Sequence, residues 1–385
     1  MRSLIIPLLA LTLLAACSRY DAVRIARAAA TGSPAAAAEA LARDKAMSYA
    51  MNPKALQSDL KRFQQTINDF IDAVRGVWGE SDTRIPEPKT YVKYTHNYLS
   101  RASVDFDAGT ITVETVDQAA PLANLKTAIV TTLLTPGDPR AVDLYSASPV
   151  KLGEPPFLLG EVKDHEGKDI RWAWRAEQFA DHLIATNLRT RTVNGKDAFL
   201  VTIAMVRDHL DIRARKYREP VEAAARRFNI SRNLVYAIMQ VESDFNPFAV
   251  SSAVAIGLMQ VVQKTAGSDV YRFLHGKAGA PSRETLFQPA ENITYGTAYL
   301  HLLDARFLGG IADPVSREYC VIAGYNGGAG AVLRTFDRDK SRAADAINRR
   351  SPAEVYKTLR SGLPHDETKR YLGKVLEAKK HFVNF

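Results

Sequence analysis

The spacing of apolar residues predicts a long amphipathic helix that begins at Asn52 and Pro53. Asparagine is a favoured N-cap residue, and proline is well tolerated in the first helical position. Beyond them, apolar side chains recur at intervals of four and three residues, which places them on one helical face. The residues on this face are Leu56, Leu60, Phe63, Ile67, Phe70 and Val74. Gly76 lies near the expected end of the helix.

Between residues 91 and 115 the pattern changes to a period of two, which predicts β-strands. Apolar and polar residues alternate over 102–106 and again over 111–115, with a turn-forming segment at 107–109 between them. Two alternating runs joined by such a turn indicate a β-hairpin. Residues 91–99 are predicted to form another strand.

The rest of this first unit also mixes helix and strand. Two helices are predicted from apolar residues at helical spacing. They contain Leu122, Leu125, Ile129 and Leu133, and then Phe179, Leu183 and Leu188. Further strands are predicted at 170–176 and 198–206. This mixture predicts an α+β domain over residues 51–210.

Two of the three tryptophans, Trp172 and Trp174, lie on the strand predicted at 170–176. Being two residues apart, they would share one face of the sheet. Such a pair could stack on sugar rings. Tryptophans on a strand are more often part of the sheet core, because each ring buries a large apolar area. We therefore favour the core interpretation for both.

After residue 210 the strand signals disappear, and residues 211–385 are predicted to form an all-α domain. One face of the helix that follows Ser231 contains Val235, Ile238, Met239 and Glu242. A carboxyl group beside apolar surface favours its neutral form, so its pKa rises. A carboxylic acid that stays protonated near neutral pH can donate a proton to a glycosidic oxygen. This stretch alone leaves open the commoner alternative, a glutamate that points into water.

The first residues have the features of an export signal. Arg2 is followed by an uncharged stretch rich in leucine and isoleucine, which ends in LAAC at residues 14–17. This pattern is typical of a secretory signal and is too short to span a bilayer as a helix. The last four residues resemble a bacterial lipoprotein signal, which implies removal of residues 1–16 and lipidation of Cys17. Ser18, in place of aspartate, implies sorting to the periplasmic face of the outer membrane. The alternative is a soluble exported protein.

The remaining composition, 46% hydrophobic and 24% charged, is typical of ordinary globular proteins. The Ala-rich residues 17–50 are predicted to form a tether, partly helical and partly mobile. The net charge of +9 is dispersed and no Lys/Arg run forms a basic tail, so nucleic acid is not an expected partner. A basic surface suits anionic lipid or cell-wall polymer, although a general excess of lysine and arginine explains the charge equally well.

Nothing in the sequence predicts a metal or a cofactor. The two cysteines are Cys17 and Cys320, and Cys320 lies in an apolar run that predicts a small buried residue. Histidine, cysteine and aspartate do not cluster at the spacing of metal ligands. The glycines of residues 324–330 lack the Gly-Lys-Ser/Thr ending of a phosphate-binding loop and follow no predicted strand.

Four blocks of the second domain resemble the soluble-lytic-transglycosylase family, whose lysozyme-like helical fold acts on peptidoglycan. The blocks are VESDFNPFAVSSAVAIGLMQVVQKTAG at 241–267, NITYGTAYL at 292–300, GYNGGAG at 324–330 and RYL at 370–372. The resemblance covers residues 212–385. Residues 88–116, PKTYVKYTHNYLSRASVDFDAGTITVETV, resemble the N-terminal domain of membrane-bound lytic transglycosylases. A peptidoglycan glycan strand is thus the implied partner, and a monomer is expected.

The resemblance implies roles for individual residues. Glu242 matches the family's sole catalytic acid and base. The matching substrate-binding residues are Ser251 near the acetamido group, Gln260 on the cleft floor, Tyr325 and Asn326 beside the glutamate, and Tyr371, which hydrogen-bonds near the carboxylate.

Other matching positions are interpreted as structural. Met259, Tyr295 and Tyr299 are expected to pack in the core. Gly257 matches a glycine that lets the backbone approach the sugar; a simple turn is the alternative. Two positions depart from the family. Gly324 replaces the usual alanine, which should loosen the start of a helix, and Asp244 replaces a small or polar residue.

The resemblance also implies a reaction, cleavage of the MurNAc-β-1,4-GlcNAc bond without water to give 1,6-anhydromuramoyl ends in cell-wall turnover and remodelling. A hydrolase usually needs two carboxylates. Asp244 is two residues from Glu242, and such residues do not face each other on a helix. Glu291 is better explained as a charge at the start of a helix. One carboxylate is therefore predicted to act as acid and then as base.

Two rival functions stay open. A lysozyme-type hydrolase could use the same acid, and a lipoprotein could bind peptidoglycan without cleaving it. A pure binding protein would have no need of the acid, which argues against the second rival. The first domain is expected to bind cell wall or a partner and to position the catalytic domain.

Overall fold

The computed structural model describes residues 34–385, so the predicted signal peptide and Cys17 lie outside the described residues. The first helix, α1 (Pro34–Met51), forms the end of the predicted tether. Its residues Ala42, Ala46 and Tyr49 are buried, and Lys45 forms a 2.9 Å ion pair with Glu284 of the second half. This part of the chain is helical and packs against the folded body.

The long amphipathic helix is confirmed as α2 (Pro53–Trp78). The side chain of Asn52 accepts a hydrogen bond from the backbone N–H of Lys54 at 3.1 Å, which is the N-cap interaction expected of asparagine. On the predicted apolar face, Phe63, Phe70 and Val74 are at most 6% exposed, and Leu56, Leu60 and Ile67 are half-buried.

A five-stranded antiparallel sheet follows, with strand order β1-β2-β3-β5-β4. The strands are β1 (Thr90–Thr95), β2 (Ser100–Asp105), β3 (Thr110–Thr115), β4 (Arg189–Val193) and β5 (Lys196–Ala204). The predicted hairpin is confirmed as β2 and β3, in which Asp105 is paired with Thr110. The strand predicted at 91–99 is shorter than expected, because His96, Asn97 and Tyr98 have positive φ and form the turn into β2.

The strand predicted at 170–176 is wrong. That segment leads into helix α4 (Ala173–Asn187), with Trp172 at its N-cap. The sheet edge is supplied instead by β4, which is joined to β5 through Asn194 and Gly195, both with positive φ. Asn-Gly is the favoured pair for a two-residue hairpin turn. Residues 173–176 are the first turn of α4, and the N–H of Ala176 donates to the carbonyl of Trp172, so this backbone is paired within a helix.

The core interpretation of Trp172 and Trp174 is wrong for the same reason. Both indoles are 51% exposed, because the start of α4 leaves them outside the sheet. Trp78, at the end of α2, is the tryptophan that is fully buried. Its Nε1 donates a 2.7 Å hydrogen bond to the carbonyl of Tyr98.

Helices cover both faces of the sheet, which confirms the predicted α+β architecture. Alternate residues of a strand point to opposite faces. Val92 and Tyr94 pack in one core with α2, while Val104 and Ile111 pack in the other. The second core also contains α4 and the predicted helix α3 (Pro121–Leu133).

The second half is helical, as predicted, and surrounds a single large core. Its helices are α5 (His209–Arg215), α6 (Arg218–Phe228), α7 (Arg232–Ser243), α8 (Ser268–His275), α9 (Arg283–Leu286), α10 (Pro289–Leu302), α11 (Pro314–Gly327), α12 (Ala329–Phe336), α13 (Lys340–Asn348), α14 (Pro352–Gly362) and α15 (Asp366–His381). One short hairpin, β6 (Ala255–Ile256) and β7 (Val261–Val262), was not predicted. Cys320 is a buried residue of this core, as predicted.

The two halves are joined by buried charges. Glu161, which is fully buried in the first half, pairs with Arg213 at 2.9 Å and with Lys216 at 2.6 Å. A charge taken out of water is tolerated when it is paired in this way. Among residues 34–385, the helices do not combine the length and hydrophobicity that a membrane span requires.

Candidate active site

The site is built on the last turn of α7. Val235, Ile238 and Met239 are completely buried, and Glu242 continues their face as a half-buried residue. The helix ends two residues later, at the left-handed Asp244, so the Glu242 side chain lies where the chain leaves the core. The alternative of a glutamate that points freely into water is excluded by this burial.

Tyr371 from α15 contacts the carboxyl group of Glu242. Its hydroxyl donates a 2.6 Å hydrogen bond to Oε1, although the two residues are 129 positions apart in the chain. Tyr371 is itself 5% exposed. The bond therefore holds the carboxyl group in one orientation against a rigid partner.

The surroundings raise the pKa of Glu242 from 4.5 to about 7. Burial is the largest cause, because the charged form loses hydration. The hydrogen bond from Tyr371 and the positive charge of Lys89 lower the pKa, and the negative charge of Glu367 raises it. The carboxyl group can therefore hold and release a proton close to neutral pH, as the sequence predicted.

Tyr325 and Asn326 lie at the end of α11, on the same side of the domain as Glu242. The Tyr325 hydroxyl donates a 2.8 Å hydrogen bond to the carbonyl of Met259. Burial and then the charge of Glu242 raise the pKa of Tyr325 well above the usual value for a phenol, so this phenol lies within the electrostatic reach of Glu242. Asn326 accepts a 2.7 Å hydrogen bond from Thr368 on α15 and thereby ties α11 to the helix that supplies Tyr371.

Ser251 and Gln260 flank the short hairpin. The Ser251 hydroxyl oxygen accepts a 3.0 Å hydrogen bond from the backbone of Ala255. The Gln260 side chain donates to the carbonyl of Gly257 at 2.9 Å. Both side chains are half-buried and organise the loop that the hairpin presents beside the end of α7.

Asn292 on α10 holds the hairpin of β6 and β7 in place. Its amide donates to the carbonyls of Ile256 and Leu286, at 2.7 and 2.8 Å, and its Oδ1 accepts from the backbone of Met259. Gly257 has φ of 74°, and a Cβ there would overlap Asn292. The glycine is therefore explained by the turn and by this internal contact.

The remaining structural expectations fare differently. Met259 and Tyr295 are buried as predicted, and Tyr299 packs against Tyr325 with ring centroids 5.6 Å apart. Gly324 lies in the last turn of α11 and not at a helix start, so the expected loosening of a helix start is wrong.

The sequence predicts that Asp244 and Glu242 do not face each other, and the Asp244 side chain is engaged elsewhere. Its carboxylate forms a 2.8 Å ion pair with Lys89 of the first half. Glu291 lies in the first turn of α10, where a negative charge is favourable. Neither residue is placed to act as a second carboxylate beside Glu242.

Sequence reasoning missed two charged neighbours of Glu242. Glu367 lies on α15 four residues before Tyr371, a spacing that places both on one helix face, so the assignment of Tyr371 could have revealed it. Glu367 is exposed, and its Oε1 lies 3.5 Å from the amide of Asn326. Lys89 comes from the first half, and no local pattern pointed to it.

The arrangement suits proton transfer. A carboxyl group with a pKa of about 7, oriented by a phenol, can act first as an acid and then as a base. Within residues 34–385, no three His, Cys, Asp or Glu side chains converge in the manner of a metal site.

Comparison with known proteins matches both halves of the chain. Residues 55–216 match the family of the membrane-bound lytic murein transglycosylase C N-terminal domain, and residues 219–348 match the transglycosylase SLT domain. The membrane-bound lytic murein transglycosylases C of Yersinia pestis (strain Pestoides F) and Yersinia pseudotuberculosis serotype O:1b (strain IP 31758) are each 48% identical over 328 residues. These matches cover 85% of this chain and 91% of either relative.

Solved structures give a partial match. The lytic transglycosylase Slt of Pseudomonas aeruginosa is 28% identical with a TM-score of 0.35, and the match covers 45% of this chain and 25% of that one. The 70 kDa soluble lytic transglycosylase of Escherichia coli is 24% identical with a TM-score of 0.34, covering 46% and 26%. The chain thus spans about a quarter of these two proteins. Since the relatives match along nearly their whole length at 48% identity, the chain belongs to the membrane-bound lytic murein transglycosylase C family.

Proposed function

We propose that the protein is a peptidoglycan lytic transglycosylase in which Glu242 is the only catalytic acid and base. The names of the relatives and the SLT domain match support the reaction class. One observation carries the assignment of the residue: a half-buried carboxyl group with a pKa of about 7 accepts a 2.6 Å hydrogen bond from Tyr371.

The first step is acid catalysis. Protonated Glu242 donates its proton to the oxygen that joins N-acetylmuramic acid to N-acetylglucosamine, and the bond from C1 to that oxygen breaks. The 2-acetamido oxygen of the muramic acid stabilises the cation at C1 as an oxazolinium-like species. Glu242 is left as a carboxylate, and the Tyr371 hydroxyl that donates to it stabilises this charge.

The second step uses the same carboxylate as a base. Glu242 takes the proton from the C6 hydroxyl of the muramic acid, and O6 forms a bond to C1 as the acetamido oxygen leaves it. The product is a 1,6-anhydromuramoyl end, no water is consumed, and Glu242 is protonated again. A pKa of about 7 serves both steps, because neither protonation state is strongly favoured near neutral pH.

We assign substrate binding to Ser251, Gln260, Tyr325 and Asn326. Ser251 uses its oxygen as an acceptor within the protein, so its hydroxyl hydrogen is available to a sugar. The phenol of Tyr325 donates internally, which leaves its oxygen as an acceptor. Gln260 and Asn326 are held in place by internal hydrogen bonds.

The rival within enzymes is a hydrolase in which Glu367 is the second carboxylate. Glu367 is exposed and lies against Asn326, which favours a role in the electrostatics of the site over one as a nucleophile. The products separate the two reactions, since lytic cleavage yields anhydro ends and hydrolysis yields reducing ends.

The test is digestion of purified sacculi by the wild-type protein and by Glu242→Gln, followed by mass spectrometry of the muropeptides. We expect anhydro ends from the wild type, and a loss of cleavage on the order of a hundredfold to ten-thousandfold, with retained sacculus binding, in the variant. Mostly reducing ends would refute the lytic mechanism, and wild-type cleavage by Glu242→Gln would refute the assignment of the acid. Retained binding also separates loss of catalysis from loss of folding.

We also propose that the mature protein is anchored by lipid on Cys17 at the periplasmic face of the outer membrane. The LAAC segment at 14–17 and the name "membrane-bound" of the relatives support this. Cys17→Ser should abolish labelling by radioactive palmitate and move the protein from the outer-membrane fraction to the soluble periplasmic fraction. Unchanged fractionation and labelling would contradict the anchor.

A further inference from the structure

The turn after the catalytic helix is held by the first half of the protein. The amide of Asn246 donates a 3.0 Å hydrogen bond to the carbonyl of Pro88. The next residue, Lys89, forms the 2.8 Å ion pair with Asp244. Arg213 donates a 2.9 Å hydrogen bond to the carbonyl of Asp244. The residues two and four positions after Glu242 are therefore fixed by groups outside α7.

This turn has a backbone conformation that needs such support. Asp244 and Phe245 have φ of 47° and 61°, in the left-handed region that residues other than glycine rarely adopt. Conformations of this kind persist where the surroundings impose them, and they cluster at functional sites. The position and direction of the last turn of α7, and hence of Glu242, depend on these contacts.

The Lys89–Asp244 ion pair joins a buried carboxylate of the second half to a cation of the first half. The Asp244 side chain is 3% exposed, so its charge requires a partner. Lys89 is 37% exposed and extends from the segment before β1, where Glu87 and Thr90 form a small backbone bridge. A buried carboxylate of the second half, two positions after Glu242, is thus neutralised by a cation from the first half.

We propose that Lys89, through its ion pair with Asp244, is a positioning residue for Glu242, so that the first half of the protein completes the active site of the second. This inference rests on Glu242 as the acid. It assigns the first half a direct part in the reaction, beyond binding cell wall.

The charges around Glu242 support this role. From α15 it is faced by Tyr371 and Glu367, from α11 by Tyr325, and from the first half by Lys89. The positive charge of Lys89 lowers the pKa of Glu242, while burial raises the pKa of Asp244 and Lys89 lowers it. Lys89 therefore acts on both carboxyl groups at once.

The two partners of the ion pair predict opposite shifts. Lys89→Gln removes a positive charge, so the pKa of Glu242 rises. Asp244→Asn leaves the charge of Lys89 unneutralised, so the pKa of Glu242 falls. Glu242 must be protonated to act as the acid, and the basic limb of the pH profile of kcat/KM reports the pKa of that group in the free enzyme. A merely structural role would lower the rate in both variants without opposite shifts.

The experiment measures initial rates of muropeptide release from sacculi, at substrate levels far below saturation, between pH 5 and pH 9. For the full chain, we expect the basic limb to move up by about half a pH unit in Lys89→Gln and down by a similar amount in Asp244→Asn. The double variant should return close to the wild-type limb, and Lys89→Arg should keep it. Lys45→Gln, which breaks the 2.9 Å pair with Glu284, is the matched control and should leave the limb unchanged.

Shifts of the same sign in both single variants, or no shift in either, would overturn the proposal. Thermal unfolding of each variant verifies that it is folded. If Glu242→Gln keeps cleavage activity, the proposed function has failed; if it is inactive and the opposite shifts are absent, only this inference has failed.

Discussion

The carboxyl group of Glu242 is set between the apolar face of α7 and the phenol of Tyr371. Burial works against its ionisation, and Tyr371 and Lys89 work in favour of it. The net rise of its pKa, from 4.5 to about 7, shows that burial is the stronger effect. Allowing for its partial exposure, the penalty for ionisation is on the order of 2 kcal/mol. Because the folded state holds this proton more tightly than the unfolded chain, this penalty lowers stability as pH rises from about 4.5 towards 7.

Tyr371→Phe tests this balance at a single residue. Loss of the hydrogen bond that stabilises the carboxylate should raise the pKa of Glu242 above about 7, so the basic limb of kcat/KM should move to higher pH. Loss of the orienting contact should lower the maximum rate roughly tenfold. Both effects are read from one pH profile of sacculus digestion.

The matched control is Tyr295→Phe, which removes a hydroxyl from a tyrosine of similar burial on α10. Its pH profile should coincide with that of the wild type. A Tyr371→Phe profile that fell in rate but kept the wild-type limb would show that Tyr371 orients the acid without affecting its protonation.

At the scale of elements, the spacing of apolar residues predicted helices and strands correctly where one face of the element packs against a core. The helices α2 and α3 and the hairpin of β2 and β3 are examples. The period failed at 170–176, where alternating residues suggested a strand. The strand beside β5 is β4 instead, joined to it by the turn at Asn194 and Gly195, and residues 173–176 begin helix α4. The Asn-Gly pair was the stronger local signal and was overlooked.

Short elements of the site depend on single polar side chains more than on pattern. The hairpin of β6 and β7 has two residues per strand, too few for any periodicity to be visible. Asn292 supplies the hydrogen bonds that hold it, and Ser243 at the end of α7 donates a 2.8 Å bond to the carbonyl of Leu258. The loop next to Glu242 is therefore anchored to two separate helices.

At the scale of the whole molecule, the two halves share a core. Phe248 follows α7 in the chain, yet it packs with Tyr91 and Phe157 of the first half, with ring centroids 5.1 and 5.2 Å apart. Together with Glu161 and its two cations, this ring makes the halves depend on each other. We accordingly expect the full chain to unfold in one cooperative transition, even if residues 51–210 and 211–385 are treated as two domains.

Phe248→Ala should uncouple the two halves. Removal of a buried phenylalanine ring costs about 3–5 kcal/mol, and here the loss falls on the interface. Differential scanning calorimetry should show the single transition of the wild type lowered and split into two. Phe228→Ala, a truncation at a similarly buried site inside the core of the helical half, should lower the transition but leave it single. A single, unsplit transition in Phe248→Ala would contradict the shared core.

The sequence by itself determined the elements whose signal is local. A regular spacing of apolar residues is visible within a short stretch of sequence. It therefore predicted α2, the first hairpin and the apolar stripe that ends at Glu242. The blocks that resemble the transglycosylase family then identified Tyr371 and Tyr325 as site residues, without any knowledge of their distances from Glu242. Residue types and their order were sufficient for this, because each motif keeps its spacing along the chain.

Only the tertiary structure decided which of these residues meet. Tyr371 contacts Glu242 across 129 positions, and Lys89 reaches Asp244 from the other half of the protein. Such contacts depend on how whole elements pack, which no local period records. The packing of whole elements also explains why Trp172 and Trp174 are exposed and why Glu367 lies near Glu242. The pKa of Glu242 is likewise a property of the packed molecule, because it depends on the burial and charges that surround the group in space.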